Sequence, residues 1–509
     1  MIRRFSAAVL AALLLVSGPA TAQEPQPLRI AASFAVTSLD PSSLHYWTPD
    51  YGASELLMRF GPDGAYHPWL LESLDPQGDT RWVATLQPDI RFQNGNPLDA
   101  QALQRVFARQ VDVLPAAASS LPEGTTIAVT GPLELTIDSP VPFPGLPGIL
   151  AQEELFPVYD AASVEAMDGD WTQMLDSGVH TGPYRLVDLT DSAMTLTRNP
   201  DYWQGEPALP GVTVSFVSNA QARILAVQNG EIDIALLPPV AAREVVESMP
   251  GVHFNGETPS TGGFLLLPNT RVAPFDDPAL RRALVLGIDY RELAEDVFGG
   301  AYREATGLYN PDFPFAVQNQ GFDPDAAAAL LDAEGWALGA DGLRHRDGEA
   351  LALTLLIYPA QPDLVPLSAA LQHQLGRLGI DVAVLSVDSI SDATQSDTGW
   401  GAALWSTSTL NWGRPEGFLQ SYVVGGGRMN YGGYGNAEVD ALTEDFLTAS
   451  EERRTAILAR LQDILVVEDP YAITLVYDTG RVVVNDAYRD FQAGFGGHHV
   501  TWQTAPSAP

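Results

Sequence analysis

The alternation of apolar strands and amphipathic helices in the second half of this chain limits its fold most strongly. Residues 262–270 form an apolar run typical of a buried strand, and a helical stretch capped by Asp276 or Asp277 follows. A second apolar run, at residues 351–359, precedes another helix and a further strand. Strands that alternate with helices usually pack as a parallel sheet covered by helices. The second half is therefore predicted to be an α/β domain with a largely parallel sheet.

The first half of the chain contains more strands and loops and fewer helices. One helix is predicted to begin near Asp99, with Leu103, Val106, Phe107 and Val111 on its buried face. A chain of 509 residues is too long for one core, so two or three domains are expected. No low-complexity linker separates the halves. We therefore expect them to meet in an extensive contact that strands cross.

The N-terminus has the features of a secretory signal peptide. Arg3 and Arg4 form a short basic region, residues 7–16 are apolar, and Ala20 and Ala22 offer a small-residue cleavage site. A membrane anchor is the alternative, but the apolar run is shorter than the ~20 residues that a spanning helix needs. Residues 1–22 are predicted to be removed during export.

The composition limits which cellular compartment and which binding partners are compatible with this chain. The chain has no cysteine, which excludes disulfides, thiolate metal sites and a lipid-modified cysteine anchor. The formal net charge is −36, and the basic residues are all arginine, so nucleic-acid binding is excluded. The acidity is most simply that of a solvated surface. A free protein in a periplasm is predicted.

Motifs for phosphate binding and for hydrolysis are missing. The glycines at 425–427 are not followed by a lysine, and they lack the flanking strand and helix of a dinucleotide fingerprint. The GxSxG sequence of the α/β-hydrolases is also missing. The glycines are predicted to form a turn, and neither a catalytic residue nor a cofactor is predicted.

Two adjacent pairs of polar residues raise the question of a ligand. His498 and His499 would point to opposite faces of a strand, which makes the pair a poor chelate there, so a surface or tail role and no metal site are expected. Glu153 and Glu154 are most simply a solvated acidic pair. In an extended loop one of them would face a cleft, and Glu153 is kept as a candidate ligand contact.

Several segments, in order along the chain, resemble the family 5 extracellular solute-binding proteins, which are periplasmic receptors of importers for peptides and nickel complexes. They include HTGPYRL, RNPDYWQGEPAL, ARILAVQNGEIDIA and NYGGYGNAEVDAL. The matching segments are residues 86–103, 180–186, 198–209, 222–235, 265–293, 321–336 and 430–442. Each motif alone is weak, but the ordered set covers essentially the whole chain after residue 22.

The resemblance implies an α/β, two-lobe type II periplasmic binding protein with an extra subdomain in lobe I. Two strands, expected at residues 264–269 and 473–484, would cross between lobes that close on a ligand by hinge motion. The implied boundaries are 23–262 for lobe I, about 57–179 for its extra subdomain, 263–480 for lobe II and 481–509 for the return to lobe I.

The resemblance also indicates ligand contacts. In the peptide-binding branch, an aspartate that pairs with the peptide α-amine occupies the position of Asn411, so the neutral amide argues against ordinary peptides. Arg414 is a candidate clamp for a ligand carboxylate, and a surface pair of Arg414 with Glu416 is the alternative. The arginine that meets the chelator in the nickel branch falls within residues 149–159, where this chain has no arginine.

Aromatic side chains commonly form the walls of binding clefts. Tyr46 and Trp47 follow the first predicted strand, and Trp405 and Trp412 follow or end another. A core position is the alternative for each, but glycine- and proline-flanked loops favour the cleft for Trp47 and Trp412. The candidate ligand-binding residues are therefore Tyr46, Trp47, Glu153, Trp405, Asn411, Trp412 and Arg414.

Together these features predict a monomeric, non-enzymatic periplasmic receptor of an ABC importer. It would capture a small peptide-like or amino-acid-derived solute by lobe closure and deliver it to permease subunits in the inner membrane. A nickel-chelate receptor of the same family and an exported hydrolase are the alternatives.

Overall fold

The computed structural model describes residues 26–508 apart from 37, 42–46, 359–360, 396–398 and 412. The predicted signal peptide, Tyr46 and Trp412 lie outside the described residues. Within them, twenty strands form four sheets. The strands are β1 Leu28–Ala32, β2 Met58–Phe60, β3 Tyr66–Pro68, β4 Leu71–Pro76, β5 Arg81–Leu86, β6 Thr126–Val129, β7 Glu134–Asp138, β8 Tyr184–Leu189, β9 Ala193–Arg198, β10 Gly211–Phe216, β11 Ile234–Leu236, β12 Val252–Pro268, β13 Arg303–Glu304, β14 Ala337–Leu338, β15 Arg344–Arg346, β16 Glu349–Ala350, β17 Ala352–Ile357, β18 Asp381–Ser386, β19 Ala402–Ser408 and β20 Ile473–Asn485.

Fourteen α-helices accompany these strands in the described part of the chain. They are α1 Ala100–Val113, α2 Pro115–Ser120, α3 Leu146–Leu150, α4 Ala161–Ala166, α5 Ala220–Gln228, α6 Arg243–Glu247, α7 Pro278–Gly287, α8 Tyr290–Glu292, α9 Pro324–Ala333, α10 Leu364–Arg377, α11 Ile390–Gln395, α12 Pro415–Phe418, α13 Ala437–Phe446 and α14 Glu451–Asp463. Short 3-10 or π turns lie at Trp171–Met174, Val240–Ala242, Leu293–Val297, Leu419–Val423, Ile464–Glu468, Asp486–Tyr488 and Phe495–Gly497.

Local sequence explains several of these elements. The side chain of Asp277 accepts a hydrogen bond from the backbone N–H of Ala279, so α7 begins after it as predicted. Helix α1 also begins where expected, but Val111 is 38% exposed. Gln110 takes the buried position because its amide nitrogen donates to the Leu155 carbonyl and its oxygen accepts from the Tyr159 hydroxyl.

One sheet of eleven strands runs through the molecule in the order β18-β17-β19-β12-β20-β11-β1-β10-β9-β8, with β13 added on β20. Strand β1 is parallel to both β10 and β11, and β17 is parallel to both β18 and β19. The central strands β12 and β20 are antiparallel to each other and to their outer neighbours. The prediction of a largely parallel sheet therefore describes the outer strands of the second half but not its centre.

Strands β12 and β20 belong to both ends of this sheet. Near Val252 and Asn485 the pair borders β11 through β20, and near Leu266 and Ile473 it borders β19 through β12. Between these ends their pairing shifts register three times, between Asn255 and Leu265, and such irregularities bend a strand pair. These strands thus connect the two halves, while the hinge motion and the domain boundaries stay predictions.

Apolar cores lie on both faces of each half. Two clusters cover the β17, β19 and β12 region, and two smaller ones cover β1, β10 and β11. A further cluster, whose fully buried members run from Leu57 to Val158, packs the separate sheet β4-β5-β7-β6 against α1 and α3. This small sheet lies in the region where the extra subdomain is predicted.

Candidate functional site

A cavity of about 450 Å³ lies against the irregular middle of the β12–β20 pair, and we call it the cleft cavity. Residues 258–261 of β12 and 478–481 of β20 line it, together with residues from both halves of the chain. Its other lining residues are Asp50, Phe60, Glu153, Leu236, Leu237, Ser408, Asn411, residues 493–497 and His499. The strands that join the two halves therefore form part of the surface of this cavity.

Two carboxyl groups that line this cavity, those of Asp50 and Glu153, lie close to the imidazole of His498. One side-chain ligand atom each from Asp50, Glu153 and His498 lies within 4.8 Å of the other two. The Oε2 atom of Glu153 is buried and has no hydrogen-bond partner among the described residues. None of the ion pairs in the described part of the chain includes Asp50 or Glu153. The cavity thus has a side with two carboxyl groups that form no ion pair with an arginine among the described residues.

Burial changes the protonation of these groups. It raises the pKa of Asp50 to about 8. It also raises the pKa of Glu153 well above its usual value, with the nearby charges of Asp50 and Glu154 adding to the effect. Burial lowers the pKa values of His498 and His499 to about 4, so both imidazoles are neutral near pH 7. A neutral imidazole is the form that binds metal ions.

The segment that carries the two histidines is a turn and not a strand. Gly496 and Gly497 have φ values of +67° and +90°, and a Cβ on Gly497 would lie 3.0 Å from a carboxylate oxygen of Asp50. The backbone N–H of His499 donates to the Asp50 carbonyl at 2.9 Å. The expectation of a surface or tail role rested on strand geometry, which this segment does not have.

The orientation of His499 is set by one backbone contact. The N–H of Gly494 donates to Nδ1 of His499 at 3.1 Å, so the proton of the neutral ring is assigned to Nε2. His498 is held differently, because its ring packs edge-on against the Trp69 ring at 5.2 Å between centroids.

The arginine that lines the same cavity already has partners. Arg481, only 8% exposed, donates to Asp478 at 2.7 Å, and its guanidinium lies 4.6 Å from the Tyr302 ring centroid. It therefore leaves the acidic side of the cavity without a counter-charge.

The sequence model of the bacterial extracellular solute-binding proteins, family 5 middle region, matches residues 65–430, which is more than half of the chain. The chain belongs to this family. Among its curated relatives, the nickel-binding protein NikA of Staphylococcus aureus is 25% identical over 77% of this chain and 76% of its own length. The dipeptide-binding protein DppE of Bacillus subtilis is 22% identical over 85% and 82% of the two chains.

Solved structures agree on the fold of this solute-binding protein. The crystal structure of NikA from Staphylococcus aureus in complex with Ni(L-His)2 superimposes with a TM-score of 0.72 and 23% identity, covering 95% of this chain and 100% of that one. The fold is therefore the α/β type II periplasmic binding protein fold, as predicted. Among the described residues, every helix falls short of the length and apolar character that crossing a membrane requires.

A second cavity in this solute-binding protein, of about 580 Å³, lies around Arg414. We call it the Arg414 cavity. The Nε of Arg414 donates to Glu416 at 2.7 Å, and a guanidinium nitrogen of Arg454 lies 3.9 Å from the other Glu416 oxygen. Glu416 is only 3% exposed, so this is a buried pair and not the surface pair considered above. The carboxylate clamp by Arg414 stays a prediction.

The other predicted contacts divide between cavity and core. Glu153 and Asn411 both line the cleft cavity. Trp47 and Trp405, at 7% and 6% exposed, are members of apolar cores, and Trp405 packs against the rings of Tyr422 and Tyr431. Their role as ligand contacts stays a prediction.

Among the residues that line the cleft cavity, sequence reasoning did not single out Asp50 and Leu237, and it gave His499 a surface or tail role. Asp50 follows Trp47 in the same early loop, which was an available signal. The glycine pair before His498 and His499 was a second signal, because it indicates a turn and not a strand. Leu237 gave no signal, because an apolar residue after a strand is expected in a core.

Proposed function

We propose that this solute-binding protein captures a divalent metal ion together with an amino-acid-derived chelator in the cleft cavity. The observation that carries the proposal is that Asp50 and Glu153, which line the cavity, and the neighbouring His498 have ligand atoms within 4.8 Å of each other. Carboxylate and neutral imidazole are both ligands for ions such as nickel and zinc. Two acids without an arginine partner also favour a doubly positive centre over a neutral solute.

The rest of the lining suits a chelator that completes the coordination of the ion. Ser408, Asn411 and Thr261 offer hydroxyl and amide groups that hydrogen-bond to carboxylate or amine groups of a small molecule. The relatives support this class of solute: one is a nickel-binding protein, and a fold neighbour is described in complex with Ni(L-His)2. A nickel chelate is the alternative that the sequence analysis set beside a peptide-like or amino-acid-derived solute.

Capture and release would follow from lobe closure. A solute that contacts groups from both halves is bound more tightly in the closed form, so it shifts the population towards that form. The membrane subunits of an ABC importer would then distinguish the closed, loaded receptor from the open one. No covalent bond of the solute is made or broken in this cycle. Export to a periplasm, through the predicted signal peptide, is part of the proposal.

The test is to identify the solute that the protein retains. The full chain is expressed with its leader, isolated from the periplasmic fraction, and examined by native mass spectrometry and by elemental analysis. We expect one nickel or zinc ion with one or two small chelators per chain. Calorimetry with nickel chloride plus L-histidine should show binding that is tighter than with either component alone. A metal-free solute as the sole bound species would overturn the proposal.

A metal-free, peptide-like solute is the second candidate. The acidic side of the cleft cavity supports it, because a free ammonium group would also be attracted to Asp50 and Glu153. DppE, the dipeptide-binding relative, is similar over most of the chain. The same calorimetry with Gly-Leu and Leu-Leu, in a metal chelator such as EDTA, distinguishes the two candidates.

A further inference from the structure

Leu237 is an apolar residue in an unusual position. It directly follows β11, lines the cleft cavity and is 52% exposed. Its φ is +50°, in the left-handed region that a leucine rarely adopts. The other non-glycine residues with positive φ in the described part of the chain are all aspartates, a type that tolerates this region better. The backbone of Leu237 is therefore strained in a way that its neighbours must maintain.

The surrounding structure fixes this conformation from both sides. Arg223, only 3% exposed, donates to the carbonyl of Leu236 at 3.2 Å and to that of Leu237 at 3.0 Å. The same guanidinium also holds the carbonyls of Val217 and Ser218, just beyond β10. The N–H of Leu237 donates to the carbonyl of Arg481 in β20. A buried arginine thus ties together the carboxyl ends of two strands and holds Leu237 at the cavity.

This is also the edge of the sheet where ligands usually bind. Strands β10 and β11 are both parallel to β1, which lies between them, and Leu237 lies just past the carboxyl end of β11. In open α/β sheets, ligands bind in the crevice beyond the carboxyl ends of parallel strands. Strain that is kept by several contacts at such a place is a recurrent mark of a functional position.

We infer that Leu237 is the residue that selects the side chain of the bound chelator, favouring an amino-acid chelator with a hydrocarbon side chain over glycine. The inference rests on the proposed function, because it names a property of the same solute. Arg223 is the positioning residue that keeps Leu237 in place. Without a solute, the side chain of Leu237 stays half exposed in the cavity. A solute side chain that covers it removes this apolar surface from water, which is favourable.

The test compares nickel complexes of glycine, L-alanine and L-leucine by calorimetry. These chelators bind nickel through the same amine and carboxylate, so differences in affinity for the protein report on the side chain. For the wild type we expect a rise of roughly tenfold from glycine to leucine. Leu237→Asn should reduce this gradient to below about twofold, whereas Leu237→Met should keep it.

Thermal unfolding of the same variants separates binding from folding. Asparagine tolerates the left-handed region, so Leu237→Asn should melt at the same temperature as the wild type or higher. A gradient that persists in Leu237→Asn, or a wild type without a gradient, overturns the inference. If no nickel complex binds at all, the proposed function fails. The change in affinity with side-chain size is then measured with the dipeptides Gly-Gly, Ala-Gly and Leu-Gly instead. No gradient in that series also overturns the role of Leu237.

Discussion

In the cleft cavity the carboxylates of Asp50 and Glu153 have no arginine partner among the described residues, whereas in the Arg414 cavity the buried charges lie beside opposite ones. The volumes, about 450 and 580 Å³, are similar. Size therefore does not indicate which cavity takes the solute. A charge that is left without a protein partner costs free energy unless a proton or a ligand neutralises it. The comparison favours the cleft cavity for the solute and a structural role for Glu416 and its arginines.

The largest effect is expected from removing the unbalanced acids. The double variant Asp50→Asn, Glu153→Gln should lower the affinity for nickel with L-histidine by about 100-fold or more, because neither amide can lose a proton and bind the ion as an anionic oxygen ligand. Calorimetry measures the affinity. Asp79→Asn is the matched control, because Asp79 is an acid that lines the Arg414 cavity. A loss below about threefold in the double variant would place the cation elsewhere and remove the basis of the comparison.

Another acid with a raised pKa, Glu55, lies in the core and is not among the residues that line the cleft cavity. This residue is fully buried, accepts hydrogen bonds from Tyr202 and Trp203, and burial raises its pKa to about 7 from an unfolded value of 4.5. The folded protein therefore holds this proton more tightly than the unfolded chain. The resulting stability is complete below about pH 4.5 and is lost as the pH rises through about 7.

Glu55→Gln should remove this dependence. Between pH 5 and pH 8, the free energy of unfolding of the variant should rise relative to that of the wild type by about 2–3 kcal/mol. Denaturant titrations at each pH measure the difference in the free energy of unfolding. The titration of Asp50, Glu153, His498 and His499 affects both proteins equally and therefore does not contribute to this difference. Glu72→Gln, at an exposed acid, should change nothing. A constant difference between Glu55→Gln and the wild type would show that Glu55 does not titrate in this range.

A smaller effect is expected in the Arg414 cavity. Arg414→Ala removes one partner of the buried Glu416, so the free energy of unfolding should fall by about 1–2 kcal/mol. The affinity for nickel with L-histidine should stay within about twofold of the wild type. The control is Arg428→Ala, at an exposed arginine. The opposite pattern, a tenfold weaker affinity with unchanged stability, would restore Arg414 as a ligand clamp.

The sequence predicted those parts of the fold that depend on neighbours in the chain. The cap at Asp277 and the strand within β12 follow from local residue patterns. The prediction of the buried face of α1 was wrong at Val111, because Gln110 takes the buried position instead. Gln110 is buried because it accepts a hydrogen bond from Tyr159, which lies 49 positions further along the chain. Tertiary hydrogen bonds of this kind leave no trace in helical periodicity.

Prediction of the site was limited in the same way, because its residues are far apart in the chain. Asn411 was singled out from the resemblance and Glu153 from an adjacent pair of acids, and both line one cavity, yet nothing in the sequence paired them with Asp50 or His498. These groups meet only because the C-terminal segment returns to the first half of the chain, where the N–H groups of His499 and Val500 bind the Asp50 carbonyl. The choice between a ligand clamp and an ion pair for Arg414 likewise needed the position of Glu416.

The smallest effect is expected from a substitution of Asn411, which tests whether a negative charge from the second half of the chain also strengthens binding in the cleft cavity. Asn411 lines the same cavity as the acids but comes from the second half of the chain. Asn411→Asp adds a third negative charge, which should tighten binding of nickel with L-histidine by about threefold at low salt and less at high salt. Asn411→Gln is the control without charge. If the aspartate instead tightens only Gly-Leu or Leu-Leu, an ammonium group binds on this side, and the metal-free solute becomes the better description of the ligand.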